Sequence, residues 1–85
     1  MEQKKQNKLD VGNALFIYSR FVMSYIQGEE YLSIDNVLKV FNERGDEKIT
    51  KDVLKEYLNF MYEWTLIGKI EREYKFVGYC LIELR

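Results

Sequence analysis

At Gly68 the spacing of apolar residues changes, and this restricts the fold more than any other feature of the chain. Before Gly68, apolar side chains recur every three or four residues, the repeat of helices with a buried face. After it they alternate in twos, the repeat of a half-buried strand. Helices first and strands last predict an α+β domain closed by a C-terminal hairpin. Eighty-five residues suit a single domain, expected over 10–85, with 1–9 (MEQKKQNKL) as a flexible polar tail. Seven Tyr, five Phe and one Trp supply enough apolar area for a core without disulfides.

Three helices are expected. Asp10 can cap the first, in which Val11, Ala14, Leu15, Tyr18, Val22, Tyr25 and Ile26 form a stripe, and Gly28 stops it in the left-handed conformation. Phe16, Ile17, Phe21 and Met23 fall outside that stripe, so the helix is apolar over most of its circumference, whereas a surface helix needs one buried face. Either the rest of the domain wraps this helix or a second face pairs with another copy. So short a chain has few elements to wrap with, which favours a homodimer through Leu15, Tyr18, Val22 and Tyr25.

Tyr31-Leu32 reads as a short strand. Ser33 caps a second helix with Ile34, Val37, Leu38 and Phe41 inward, and Leu32 and Val37 stand where a hydrophobic staple places them. Beyond the polar turn of Asn42 to Lys48 the arrangement repeats. Thr50 caps, Ile49 and Leu54 staple, and Val53, Leu54, Tyr57, Leu58, Met61 and Trp64 point inward until Gly68 ends the third helix. Ile70 to Leu84 reads as the hairpin. A two-residue loop at Val77-Gly78 would mix charged and apolar side chains on one face. A three-residue loop, Phe76-Val77-Gly78, pairs Tyr74 with Cys80, Arg72 with Ile82 and Ile70 with Leu84, and puts Gly78 at the left-handed position. The three-residue loop is therefore expected, with Arg72 snorkelling to the edge.

Catalysis is not expected. The chain has no histidine for general-base work and no glycine-rich phosphate loop, and one cysteine without histidine makes no zinc site. Cys80 reads as a small core residue, and the acidic pairs Glu29-Glu30 and Asp46-Glu47 lack calcium-loop spacing. No metal or cofactor is implied. Apolar runs are too short for a membrane span, no signal peptide is apparent, and a lone cysteine fits a reducing compartment, so a cytoplasmic protein is expected. One Ala, no His or Pro and abundant Lys, Ile, Tyr and Asn are the bias of an AT-rich genome, as small viral or plasmid proteins show.

Helix, short strand, helix, turn, helix, hairpin: this order resembles the winged helix-turn-helix family. Gly68-Lys69-Ile70-Glu71-Arg72-Glu73 looks like the segment where a recognition helix stops at glycine and an isoleucine opens the wing. The likeness covers roughly residues 11–85 and is to small archaeal, viral and bacterial transcription regulators. It implies a third helix in the major groove of double-stranded DNA, with the hairpin on the flanking backbone. Two features depart from the family. The turn before the third helix exceeds the usual three or four residues, and Lys75-Phe76-Val77-Gly78 carries one charge where wings are usually basic.

Under that resemblance the outward face of the third helix supplies Lys51, Lys55, Asn59 and Tyr62, with Thr50 at its amino end and Arg72 and Lys75 on phosphates. Asparagine can read adenine, and lysine can reach guanine or phosphate. Asp52 and Glu56, one position over, repel a phosphate backbone. Seven basic and seven acidic side chains cancel between Glu47 and Arg85, so weak non-specific binding is expected. The alternative is a protein-interaction module without DNA binding, using the apolar Phe76-Val77 and the over-apolar first helix.

Overall fold

The computed structural model describes residues 9–44 and 48–82. Helices α1 (Val11–Ile26), α2 (Ile34–Arg44) and α3 (Lys51–Glu63) precede strands β1 (Ile67–Arg72) and β2 (Lys75–Leu81), which pair antiparallel. The chain is thus a small α+β domain with the hairpin at its C-terminal side. The expected tail 1–9 lies outside the described residues apart from Leu9, which packs against the core.

Each helix starts where a short polar side chain takes up an otherwise unpaired N–H. Asp10 Oδ1 accepts from the Asn13 N–H at 3.0 Å, Ser33 Oγ from Asn36 at 3.1 Å and Thr50 Oγ1 from Val53 at 3.2 Å. After α1, Gly28 adopts φ 81°, and the N–H groups of Gly28 and Glu29 donate back to the carbonyls of Tyr25 and Ser24. The end of α3 closes the same way without glycine. Thr65 takes φ 58°, its N–H donates to the Tyr62 carbonyl at 3.0 Å, and Leu66 N–H donates to Met61 at 2.9 Å. Gly68, expected to stop this helix, instead lies inside β1. A β-branched residue in the left-handed region is strained by about 1–2 kcal/mol.

The core joins Ile17 and Phe21 of α1, Leu32 just ahead of α2, Val37 and Phe41 of α2, Leu54, Tyr57, Leu58 and Met61 of α3, and Ile67 and Tyr79 of the hairpin. Phe16 meets Phe41 edge-on, their ring centroids 5.4 Å apart. Both staples are in place, since Leu32, Val37 and Leu54 are buried and Ile49 packs against the same core. Asn42 closes the turn between α2 and α3: its Oδ1 accepts from the Ile49 N–H at 2.9 Å and its Nδ2 donates to the Ile49 carbonyl at 3.2 Å. The Asp10 N–H donates to the Tyr57 hydroxyl at 2.9 Å, fastening the start of α1 to α3. Two residues expected inward on α3 are not: Val53 is exposed, and Trp64 is 66% exposed. The buried line Leu54, Tyr57, Leu58, Met61 leaves both on its flank.

The hairpin departs most from expectation. It turns at Glu73-Tyr74, whose φ values of 53° and 66° are those of a two-residue turn matched to strand twist. Arg72 therefore pairs with Lys75 and Gly68 with Cys80, replacing the expected partners Ile82 and Tyr74. Ile70 faces Gly78; Leu84, its expected partner, lies outside the described residues. The expected register assumed unbroken alternation. A bulge interrupts it where Ile70 gives way to Glu71, leaving Val77 without a counterpart and setting Phe76 and Tyr79 on one face, ring centroids 5.1 Å apart.

Gly78 is needed for a reason unrelated to the turn. Leu32 N–H donates to the Tyr79 carbonyl at 2.8 Å and Tyr79 N–H donates to the Leu32 carbonyl at 2.9 Å, so the expected short strand is a bridge onto β2. A Cβ on Gly78 would collide with the Leu32 carbonyl group and stand 2.8 Å from the Tyr31 ring. Gly78→Ala is expected to lower stability by about 2–3 kcal/mol, read from the urea midpoint; an unchanged midpoint would show that the bridge gives way freely. Thr65→Gly is expected to raise stability by about 0.5–1 kcal/mol in the same measurement.

Candidate nucleic-acid interface

The buried line of α3 sets what its outer surface presents. At 3.6 residues per turn, the side opposite Leu54, Tyr57, Leu58 and Met61 carries Asp52, Glu56, Asn59 and Glu63, all exposed. Lys51, Lys55 and Tyr62 stand along one flank of that ridge, and Val53, Phe60 and Trp64 along the other. The surface expected to read DNA is therefore three strips: basic and aromatic, acidic, and apolar. Asp52 and Glu56 do not stand aside from the outermost line; they form it.

The basic flank extends beyond α3. The Lys69 ammonium of β1 sits 4.5 Å from the centroid of the Tyr62 ring, so the strip runs from Lys51 through Lys55 and Tyr62 onto the base of the hairpin. Lys69 is absent from the expected set, which takes Arg72 and Lys75 as the cations of the hairpin. It lies opposite Tyr79 in the ladder, on the side of the hairpin that packs against α3. Burial pushes the Tyr79 hydroxyl above the ordinary tyrosine range, and the neighbouring Tyr62 adds to the effect. Asn59 is exposed where this flank meets the acidic ridge. Thr50 is engaged as the cap of α3, leaving its hydroxyl hydrogen to donate.

Two expected cations already have partners. Lys51 Nζ lies 3.1 Å from Asp35 Oδ1 in the first turn of α2. Arg72 Nη2 lies 3.0 Å from Glu30 Oε1, its Nη1 donates to the Glu71 carbonyl, and its guanidinium stands 6.0 Å from the centroid of the Tyr31 ring. Lys69 rather than Arg72 thus joins the α3 flank, while Arg72 belongs to the connection between α1 and α2. Lys75 is exposed opposite Arg72, and Glu73 and a fully exposed Tyr74 form the hairpin tip. Phe76 and Val77, expected at the tip, lie behind it.

On α1 the buried line is Ile17, Phe21 and Ser24, none of which belongs to the stripe read from the sequence. Of the residues expected at a dimer interface, Leu15 is exposed, Tyr25 is half-exposed, and Tyr18 and Val22 are half-buried. Among the described residues none covers Val11, Leu15 or Ile26 of this helix. Among the described residues no group of three His, Cys, Asp or Glu side chains is placed to hold a metal, and no helix is long and apolar enough to cross a membrane. Comparison with protein-family models, curated proteins and solved structures gives no match.

Both ion pairs are solvated, with about half of each cationic side chain exposed. Pairs of this kind contribute under about 1 kcal/mol, so a phosphate can displace either carboxylate at little cost. A double-mutant cycle of Glu30→Ala and Arg72→Ala on urea stability is expected to give a coupling below about 1 kcal/mol; a larger value would mean that Arg72 is locked in place.

Proposed function

We propose that this chain is a winged helix-turn-helix protein that binds double-stranded DNA and regulates transcription, with α3 as the recognition helix and the β1–β2 hairpin as the wing. The observation that carries this reading is the strip Lys51, Lys55, Tyr62, Lys69, continuous from the amino end of α3 to the hairpin. Lysines spaced along one helix flank match a phosphate backbone beside the groove, and Asn59 at the edge of the strip is positioned to reach a base. The acidic ridge of Asp52, Glu56 and Glu63 opposes full insertion, so α3 docks on its basic flank with the ridge turned from the phosphates. The proposed activity needs no catalytic group, metal or cofactor, and suits a cytoplasmic protein.

The test is fluorescence anisotropy of a labelled random duplex titrated with protein as salt rises from about 20 to 150 mM. Three or four phosphate contacts give a slope of about −3 in log affinity against log salt. Lys55→Ala and Lys69→Ala should each reduce that slope by about 1 and weaken binding to all sequences alike. If Lys55 instead contacts a base, Lys55→Ala should cost about 1–3 kcal/mol on a selected target sequence alone.

A second reading is supported by the other flank of α3. Val53, Phe60 and Trp64 are exposed there, with the Phe60 and Trp64 ring centroids 5.7 Å apart. An exposed apolar strip of this kind marks a protein contact, which would make the domain a protein-interaction winged helix. Absence of duplex binding at the lowest salt would favour it.

A further inference from the structure

The helix α1 has two apolar faces; among the described residues the domain buries one and only the edge of the other, where Tyr18 packs against the core. Ile17 and Phe21 enter the core, while Val11, Leu15, Tyr18, Val22 and Ile26 line a second face at spacings of four, three, four and four. Val11 is 72% exposed, Leu15 62% and Ile26 68%. These spacings are those of a seam between two helices, in which side chains of one enter gaps on the other.

We infer that α1 is the interface of a two-fold homodimer, a second copy laying the same face against the first. Three features identify a second copy as the occupant. The only charged residue within Val11–Ile26 is Arg20, and it points elsewhere: its guanidinium donates to Asn36 Oδ1 of α2 at 3.4 Å and borders the cavity between α1 and α2. The seam is thus free of charge along its length and meets its own copy without like-charge repulsion, as a self-complementary patch requires. Its area is also suitable. The exposed parts of these side chains amount to roughly 500 Å² per protomer, so two copies reach the ~1,000 Å² total at which a specific interface begins. Finally, α1 is fastened at both ends, by the Asp10 N–H bond to the Tyr57 hydroxyl and by the turn at Gly28. This interface stands on α1 alone and goes beyond the DNA reading; should both hold, the second protomer doubles the few phosphate contacts that one α3 flank provides.

Sedimentation equilibrium of the full chain, without DNA, tests the inference. The wild type is expected to sediment as a dimer of the 10.3 kDa chain. Leu15→Glu and Ile26→Glu are each expected to raise the dissociation constant by about 100-fold, since each leaves a buried charge unpaired. Both positions are exposed in the protomer, so the far-ultraviolet circular dichroism should keep its helical signal. As a readout independent of folding variants, Leu15→Cys in a Cys80→Ser background should form an intermolecular disulfide under mild oxidation faster than Lys39→Cys, on the exposed side of α2. A wild type that remains monomeric at ~100 μM overturns the inference and leaves the stripe to a different protein. A folded Leu15→Glu variant that stays dimeric also overturns it, placing the interface elsewhere. Loss of DNA binding by a protein that still dimerises would count against the DNA reading alone.

Discussion

Two backbone hydrogen bonds between Leu32 and Tyr79 hold the helical half of the chain to its hairpin. They satisfy buried main-chain groups at both residues, and buried N–H and C=O groups are costly when left unpaired. Their geometry requires the backbones to come so close at Gly78 that no side chain fits there. The same bridge brings Leu32 and Tyr79 into the core that Val37 of α2 also enters. A two-stranded hairpin is marginal by itself. Anchored through Leu32 and packed on α3 by Ile67, it becomes part of a single core.

The outer surface of α3 follows from that core. Once Leu54, Tyr57, Leu58 and Met61 face inward, the acidic residues occupy the ridge and the lysines are moved to one side. Lys69 on Tyr62 then carries the basic strip across to β1. A helix with this division of chemistry can dock on a polyanion through one flank while its ridge resists deeper engagement. Selectivity for orientation comes from repulsion as much as from attraction.

The three helices, their order and the terminal hairpin are legible in the sequence because their signals are local. The Ser33 and Thr50 caps and the staples that follow involve residues within five positions of one another. Where distant partners decide, the sequence alone misleads. Both stripes of α1 are apolar, and the choice between them belongs to α2, α3 and the hairpin. The hairpin register depends on Leu32, far away in the chain, and on a bulge that alternation does not announce. Thr65 ends α3 in a conformation for which threonine gives no signal, and the sequence points instead to the next glycine. In the candidate site, the shared exposed side of Lys51, Lys55, Asn59 and Tyr62 is legible from helix spacing. Lys69 needed the fold, and the prominence of Asp52 and Glu56 needed the position of the buried line.

The hydrogen bond from Asp10 to the Tyr57 hydroxyl spans 47 residues. During synthesis α1 emerges from the ribosome before Tyr57 does, and longer still before Tyr79. Throughout that interval the nascent helix exposes both its apolar faces, the one destined for the core and the one left outside it. The domain can close only when its last strand emerges, so both faces of this first segment stay open to other contacts until then.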